Sequence, residues 1–171
     1  TGTLVIEKAP LTVTPDDKTI EFGSPDPVFT LTYGAFQGSD NVGVIDVVPT
    51  AGVSGAHTVV ADYVINVSGG SDNNYSFTYA TGTLHVVDTA APVIDAHADL
   101  IFEAMSATGT FATYASPSAT DGADGAVPVN CLPISGSGFA LGTSTVTCTA
   151  QDSSGNHATS SFLVVVRDTT A

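Results

Sequence analysis

The residues best equipped for chemistry in this chain are carboxylates, and they sit in turn-like stretches. Asp121-Gly122-Ala123-Asp124 and Asp152-Ser153-Ser154-Gly155-Asn156 each place side-chain oxygens a few residues apart, next to glycine. The chain carries 17 acidic residues against three basic ones, Lys8, Lys18 and Arg167, for a formal net charge of -14. Such a surplus repels phosphate backbones and anionic lipid, which argues against nucleic acid or a membrane surface as partner. Carboxylate oxygens that converge attract hard divalent cations such as Ca²⁺. Asp-Gly and Ser-Gly-Asn are also ordinary turn formers, in which Asp bonds its own backbone. The spacing leaves both readings open. Asp16-Asp17 and Asp26 are read as turns.

The remaining reactive side chains point away from catalysis. Cys131 and Cys148 lie in a Thr-rich, Lys-poor chain of exported character, where two cysteines suggest a disulfide, the alternative being free thiols in a core. A redox or metal role would call for a Cys-x-x-Cys pair or a neighbouring His, and neither is present. His57, His85, His97 and His157 are scattered without metal-ligand spacing and are expected as surface or half-buried strand residues. There is no Gly-x-Ser-x-Gly elbow, Walker loop or dinucleotide-binding glycine fingerprint. The chain is therefore not expected to be an enzyme. Asn66-Val67-Ser68 and Asn74-Tyr75-Ser76 are N-glycosylation acceptor sequons. The apolar run Phe162–Val166 is far too short to span a bilayer, so membrane insertion is not expected.

An internal repeat organises these residues. Thr1-Gly2-Thr3-Leu4-Val5-Ile6-Glu7 is echoed by Thr81-Gly82-Thr83-Leu84-His85-Val86-Val87. Val86-Val87-Asp88-Thr89-Ala90-Ala91-Pro92 is echoed at the same period by residues 165–171. Residues 1–8 then read as the last strand of a preceding repeat, or as an exchanged strand. Two units follow, 9–88 and 89–168, with 169–171 starting a linker to a further repeat.

Both units read as all-β, from short runs of Val, Ile, Thr, Phe and Tyr separated by Gly- and Asp-rich turns. Strands are expected near 11–14, 28–33, 42–48, 58–67 and 75–87 in the first unit. In the second they are expected near 100–103, 110–114, 127–131, 143–150 and 159–167. Regularly spaced short strands of this kind build sandwiches or barrels.

The second unit resembles the HYR (hyalin repeat) domain. The resemblance rests on Asp88-Thr89-Ala90-Ala91-Pro92, the stretch Ala98–Ala104, Ala119-Thr120-Asp121-Gly122-Ala123-Asp124-Gly125, the stretch Leu141–Ala150, and Asp152-Ser153-Ser154-Gly155-Asn156. It implies an immunoglobulin-like β-sandwich with an adhesive role. Family members often carry two further cysteines where this chain has Ala96 and Ser160. Their loss implies that Cys131 and Cys148 pair with each other. The first unit resembles an MBG-type domain of bacterial surface adhesins, through Ala9-Pro10-Leu11-Thr12-Val13-Thr14, Lys18, Phe22-Gly23 (Phe where Tyr is usual), Asp26-Pro27, the stretch Asn74–Thr78 and Thr81-Gly82-Thr83-Leu84.

An immunoglobulin-like sandwich would bring the entering linker, the loop at 116–125 and the loop at 151–157 to one pole. Asp88, Asp121, Asp124, Asp152 and Asn156 would meet there as a calcium site that stiffens the joint, with Asp168 starting an equivalent site. The expected function is a non-catalytic extracellular segment of a cell-surface adhesin or stalk, providing reach and attachment. Its expected partners are neighbouring repeats, or a host or matrix protein or glycan. One alternative is a subunit of a self-assembling extracellular filament held by strand exchange. Another is a carbohydrate- or protein-binding module presenting Tyr33, Phe36, Tyr63, Tyr75 and Phe139.

Overall fold

A computed structural model describes residues 4–169. The chain divides into two compact units at Asp88/Thr89. In the first unit the strands are β1 (Ala9–Pro15), β2 (Lys18–Glu21), β3 (Leu31–Tyr33), β4 (Thr50–Val53), β5 (Ala61–Ser68), β6 (Tyr75–Tyr79) and β7 (Gly82–Val87). They form two sheets, ordered β3-β1-β6 and β2-β7-β5-β4. Strand β1 alternates, with Leu11, Val13 and Pro15 buried, Thr12 exposed and Thr14 half-buried. One core cluster gathers Leu11, Ile45 and Tyr75 with Tyr33, Phe36 and Phe77 around them. Another gathers Ile65, Leu84 and Val86 with Ile20, Phe22, Phe29 and Tyr63.

Two expectations for this unit change. The run at 42–48 is not a strand but a 3-10 turn, Val42–Val44, because the Asn41 side chain accepts a hydrogen bond from the Gly43 N–H at 2.9 Å and caps it. The run at 75–87 is two strands in different sheets. The break falls at Ala80-Thr81, and Gly82 after it sits where a Cβ would come within 2.7 Å of the Pro15 carbonyl oxygen. Strands β2 and β4 carry no strong apolar alternation and escaped the sequence reading.

Residues 4–8 lie outside any strand, with Leu4 86% and Ile6 88% exposed, whereas their counterparts Leu84 and Val86 in β7 are 0% and 2% exposed. Strand β7 itself is fully paired, parallel to β2 and antiparallel to β5.

The second unit contains β8 (Val93–Ile94), β9 (Leu100–Glu103), β10 (Thr110–Phe111), β11 (Ala119–Asp121), β12 (Gly125–Val127), β13 (Val129–Leu132), β14 (Gly138–Phe139), β15 (Gly142–Gln151) and β16 (His157–Arg167). The sheets are β13-β15-β16-β9, β12-β11-β8 and the pair β10-β14. Ala119 and Val127 of the smaller sheet pack with Ala150 of the larger, which makes a sandwich. The main core cluster joins Val146, Cys148, Phe162, Val164 and Val166 to Cys131, Ala112 and Phe139. Cys131 and Cys148 stand opposite each other in β13 and β15 and are joined by a disulfide within one sheet. Gly109, at φ +122°, lies so close to Phe139 that a Cβ would fall 1.9 Å from its carbonyl oxygen.

Candidate functional site

The acidic stretches of the second unit fold into two hairpin tips. Asp121 ends β11, and its carboxylate accepts hydrogen bonds from the N–H groups of Ala123 and Asp124 at 2.7 and 3.1 Å. This closes the tight turn into β12. Asp152 follows β15 and accepts from the Asn156 backbone N–H at 2.7 Å and from its Nδ2 at 2.9 Å, which closes the turn into β16. Asp124 bridges the two tips, accepting from the Ser153 N–H at 2.9 Å and the Ser153 Oγ at 2.6 Å. The segment 116–125, expected as an open loop, is therefore mostly the β11–β12 hairpin.

One oxygen from each of Asp88, Asp121, Asp124 and Asp152 lies within 4.8 Å of the others, and Asp88 and Asp152 are buried. The turn reading and the convergence reading thus coexist, since the turn hydrogen bonds are what aim the carboxylates. Burial raises the Asp152 pKa, but hydrogen bonds from Asn156, Gly155 and Ser154 outweigh it and hold the group below its ordinary value. Asp152 is consequently ionised at neutral pH. Asn156 turns its amide nitrogen to Asp152.

The first unit uses its carboxylates differently. Asp72 is buried and accepts backbone N–H groups from Asn74 at 2.7 Å, Tyr75 at 2.8 Å and Asp46 at 3.2 Å. Asp46 returns the contact by accepting from the Asn73 N–H at 3.0 Å. Asp40 accepts from the Tyr75 hydroxyl at 2.8 Å. The Asn74 hydrogen bond leads in lowering the Asp72 pKa, against burial. Sequence reasoning passed over Asp72 as part of a Gly-rich break; it closes an Asx turn onto the backbone N–H two residues on, a contact that the identity of residue 74 does not announce. Asp16 accepts from Thr30 and from Thr32 and is likewise lowered by those hydroxyls.

The other singled-out residues serve packing. His57 and His85 pair with Asp26 and Asp62 at 2.9 and 2.6 Å. His97 stacks on Phe162 at 3.9 Å between centroids. Tyr75 and Phe139 are buried, and Tyr33, Phe36 and Tyr63 pack against cores. These five aromatics therefore form no exposed platform, which corrects that expectation. Among the described residues the exposed large aromatics are Tyr79 and Phe111, the latter on the rim of a groove with Met105 and Thr108. Asn66 and Asn74 are exposed, in β5 and just before β6. Among the described residues no helix is long and apolar enough to cross a membrane.

The fold and its side chains define a class: tandem β domains of the adhesion-repeat type, whose polar groups shape turns and clamp backbone. Residues 11–85 match the family model of the MBG domain (YGX type), and residues 87–166 match that of the HYR domain, so the chain is an MBG domain followed by a HYR domain. Neither is an enzyme family. All four converging carboxylates fall within the stretch matched to HYR. No curated protein matches the chain significantly. The motif Phe22-Gly23 now has a physical meaning. Phe22 packs on the Ile65–Leu84–Val86 cluster, and Gly23 takes φ +78° to turn the chain away.

Proposed function

We propose that the chain is a non-catalytic extracellular segment of a cell-surface adhesin or stalk, giving reach and attachment. The observation that carries this reading is that each adhesion-type unit closes its own core, while the residues able to do chemistry are occupied with turns and backbone clamps. Modules with private cores can be strung in series, since each folds without borrowing its neighbour's apolar surface. The test is antibody labelling of the native protein. Binding to intact cells supports the reading; binding only after lysis overturns it. A panel of matrix proteins and glycans then separates attachment from passive reach.

The reading extends to a calcium ion held by Asp121, Asp124 and Asp152 with Asp88. Support comes from mutual repulsion. Carboxylates this close must be neutralised by protons or a cation, and the hydrogen bonds on Asp152 keep its proton off.

A second reading, strand exchange into a filament, is favoured by the exposed Leu4 and Ile6, which duplicate the buried Leu84 and Val86. Because β7 already fills its own sheet, exchange between copies would have to displace it. Concentration-dependent oligomers that Leu4→Asp abolishes would support this reading. A monomer at all concentrations would remove it.

A further inference from the structure

The two domains share no core residues and differ in sheet order, yet each ends in the same hydrogen-bonded device. In the first unit, β2 runs parallel to the last strand β7, from Lys18 opposite Leu84 to Glu21 opposite Val87. Just before this ladder Asp17 accepts the Thr83 N–H at 2.7 Å, and just after it the Phe22 N–H donates to the Val87 carbonyl at 2.7 Å. In the second unit, β9 runs parallel to the last strand β16, from Leu100 opposite Val164 to Glu103 opposite Arg167. Just before it Asp99 accepts the Leu163 N–H at 2.8 Å, and just after it the Ala104 N–H donates to the Arg167 carbonyl at 2.8 Å. The segments Asp17-Lys18-Thr19-Ile20-Glu21 and Asp99-Leu100-Ile101-Phe102-Glu103 superimpose role for role. An exposed aspartate locks the entry, an inward apolar residue (Ile20 or Phe102) packs on the core, and a glutamate ends the strand. Glu103 adds a further hold, accepting from the N–H and Oγ1 of Thr169 at 2.6 and 2.8 Å.

We infer that this device is a tension clamp, and that each domain is built to bear load along the chain. The geometry supplies the mechanism. When a domain is pulled by its two chain ends, an early strand is drawn one way and the last strand the other. Parallel pairing turns that motion into sliding, which loads every bond of the evenly spaced ladder together. An antiparallel hairpin pulled at its open end parts one bond at a time. The first unit holds a second parallel pair on the same load path: β1 with β6, from Ala9 opposite Tyr75 to Val13 opposite Tyr79, extended by Ala9 N–H to Asn74 and Ala80 N–H to Val13. In the second unit the short antiparallel pair of β8 with β11 yields first and passes the load to β9. The inference deepens the stalk reading and takes its biological meaning from it, but the clamp is a property of the isolated molecule.

The test is single-molecule pulling of the full chain in two geometries. One pair of handles sits at the chain ends. The other sits at Leu141 and the C-terminal end, where β15 and β16 lie side by side and antiparallel. Forced rupture reads the unfolding barrier rather than equilibrium stability. The expected end-to-end rupture force of the second unit is several-fold above its force in the hairpin-peeling geometry. Asp99→Ala and Asp17→Ala should each lower the end-to-end force of their own unit only, and Asp99→Ala should leave the peeling force unchanged. Equal forces in the two geometries would overturn the clamp, as would an unchanged end-to-end force in both variants. Intracellular location would sink the stalk reading while leaving these forces intact.

Discussion

The two units put the same residue type to partly different use. In the MBG domain Asp72, Asp46 and Asp16 each accept a hydrogen bond from a distant segment and so hold loops to strands, with Asp72 the buried member of the three. In the HYR domain Asp121, Asp124 and Asp152 meet at the hairpin tips, within reach of one another. The MBG domain contains no cysteine and relies on two separate apolar clusters. The HYR domain ties neighbouring strands with a disulfide. A carboxylate stabilises where it finds N–H donors, and becomes a ligand candidate where it finds other carboxylates; composition does not separate these roles.

The comparison is broken most directly by unfolding one unit alone. Phe162→Ala removes a buried aromatic from the HYR core and should cost about 3–5 kcal/mol, abolishing one thermal transition while the MBG transition persists. A single shared transition that moves as one would mean the units are not separate. Next in size is the disulfide. Cys131→Ala with Cys148→Ala should cost the HYR domain about 3 kcal/mol, read by denaturant titration, and leave the MBG midpoint in place.

Calcium sharpens the contrast. A cation that binds only the folded state stabilises it by about 2.7 kcal/mol at a hundredfold excess over its Kd. The HYR melting temperature should therefore rise at millimolar Ca²⁺, while the MBG melting temperature stays fixed and Asp124→Asn removes the gain. No shift would remove the metal from the proposal. Acid should act in the same sense on both domains but more strongly on the MBG domain. The Asp72 and Asp16 pKa values are lowered in the folded MBG domain, so their stabilisation is complete above the ordinary carboxylate range, about pH 4, and is lost as pH falls through the lowered values. Asp152 confers the same dependence on the HYR domain through fewer groups. The MBG transition should thus fall faster between pH 5 and about pH 2, and Asp72→Asn should flatten that fall. The smallest effect is expected from Phe22→Tyr. The ring is only half-buried, its hydroxyl can reach water, and the midpoint should move by no more than about 0.5 kcal/mol.

Much of the fold is legible in the chain because strand β15 writes period-two alternation over ten residues and strand β16 carries the apolar run Phe162–Val166. Short strands such as β8, β10 and β14 have two residues each, too few to show a period. Asp72 was hidden because its partners are backbone N–H groups, which carry no mark in a side-chain sequence. The converging carboxylates were legible only through a fold resemblance, since Asp121 and Asp152 are joined by no local pattern.

Local preference alone therefore settles that this chain is β throughout, that it turns at Gly and Asp, and that it repeats near 80 residues. Which strands become parallel neighbours, which aspartates meet donors and which meet each other, and where Tyr75 and Phe139 are buried are decided only when distant segments pack. Those contacts join residues such as Asp17 and Thr83 or Asp99 and Leu163, and pairing across that much chain depends on register and core shape, quantities that no short stretch of sequence contains.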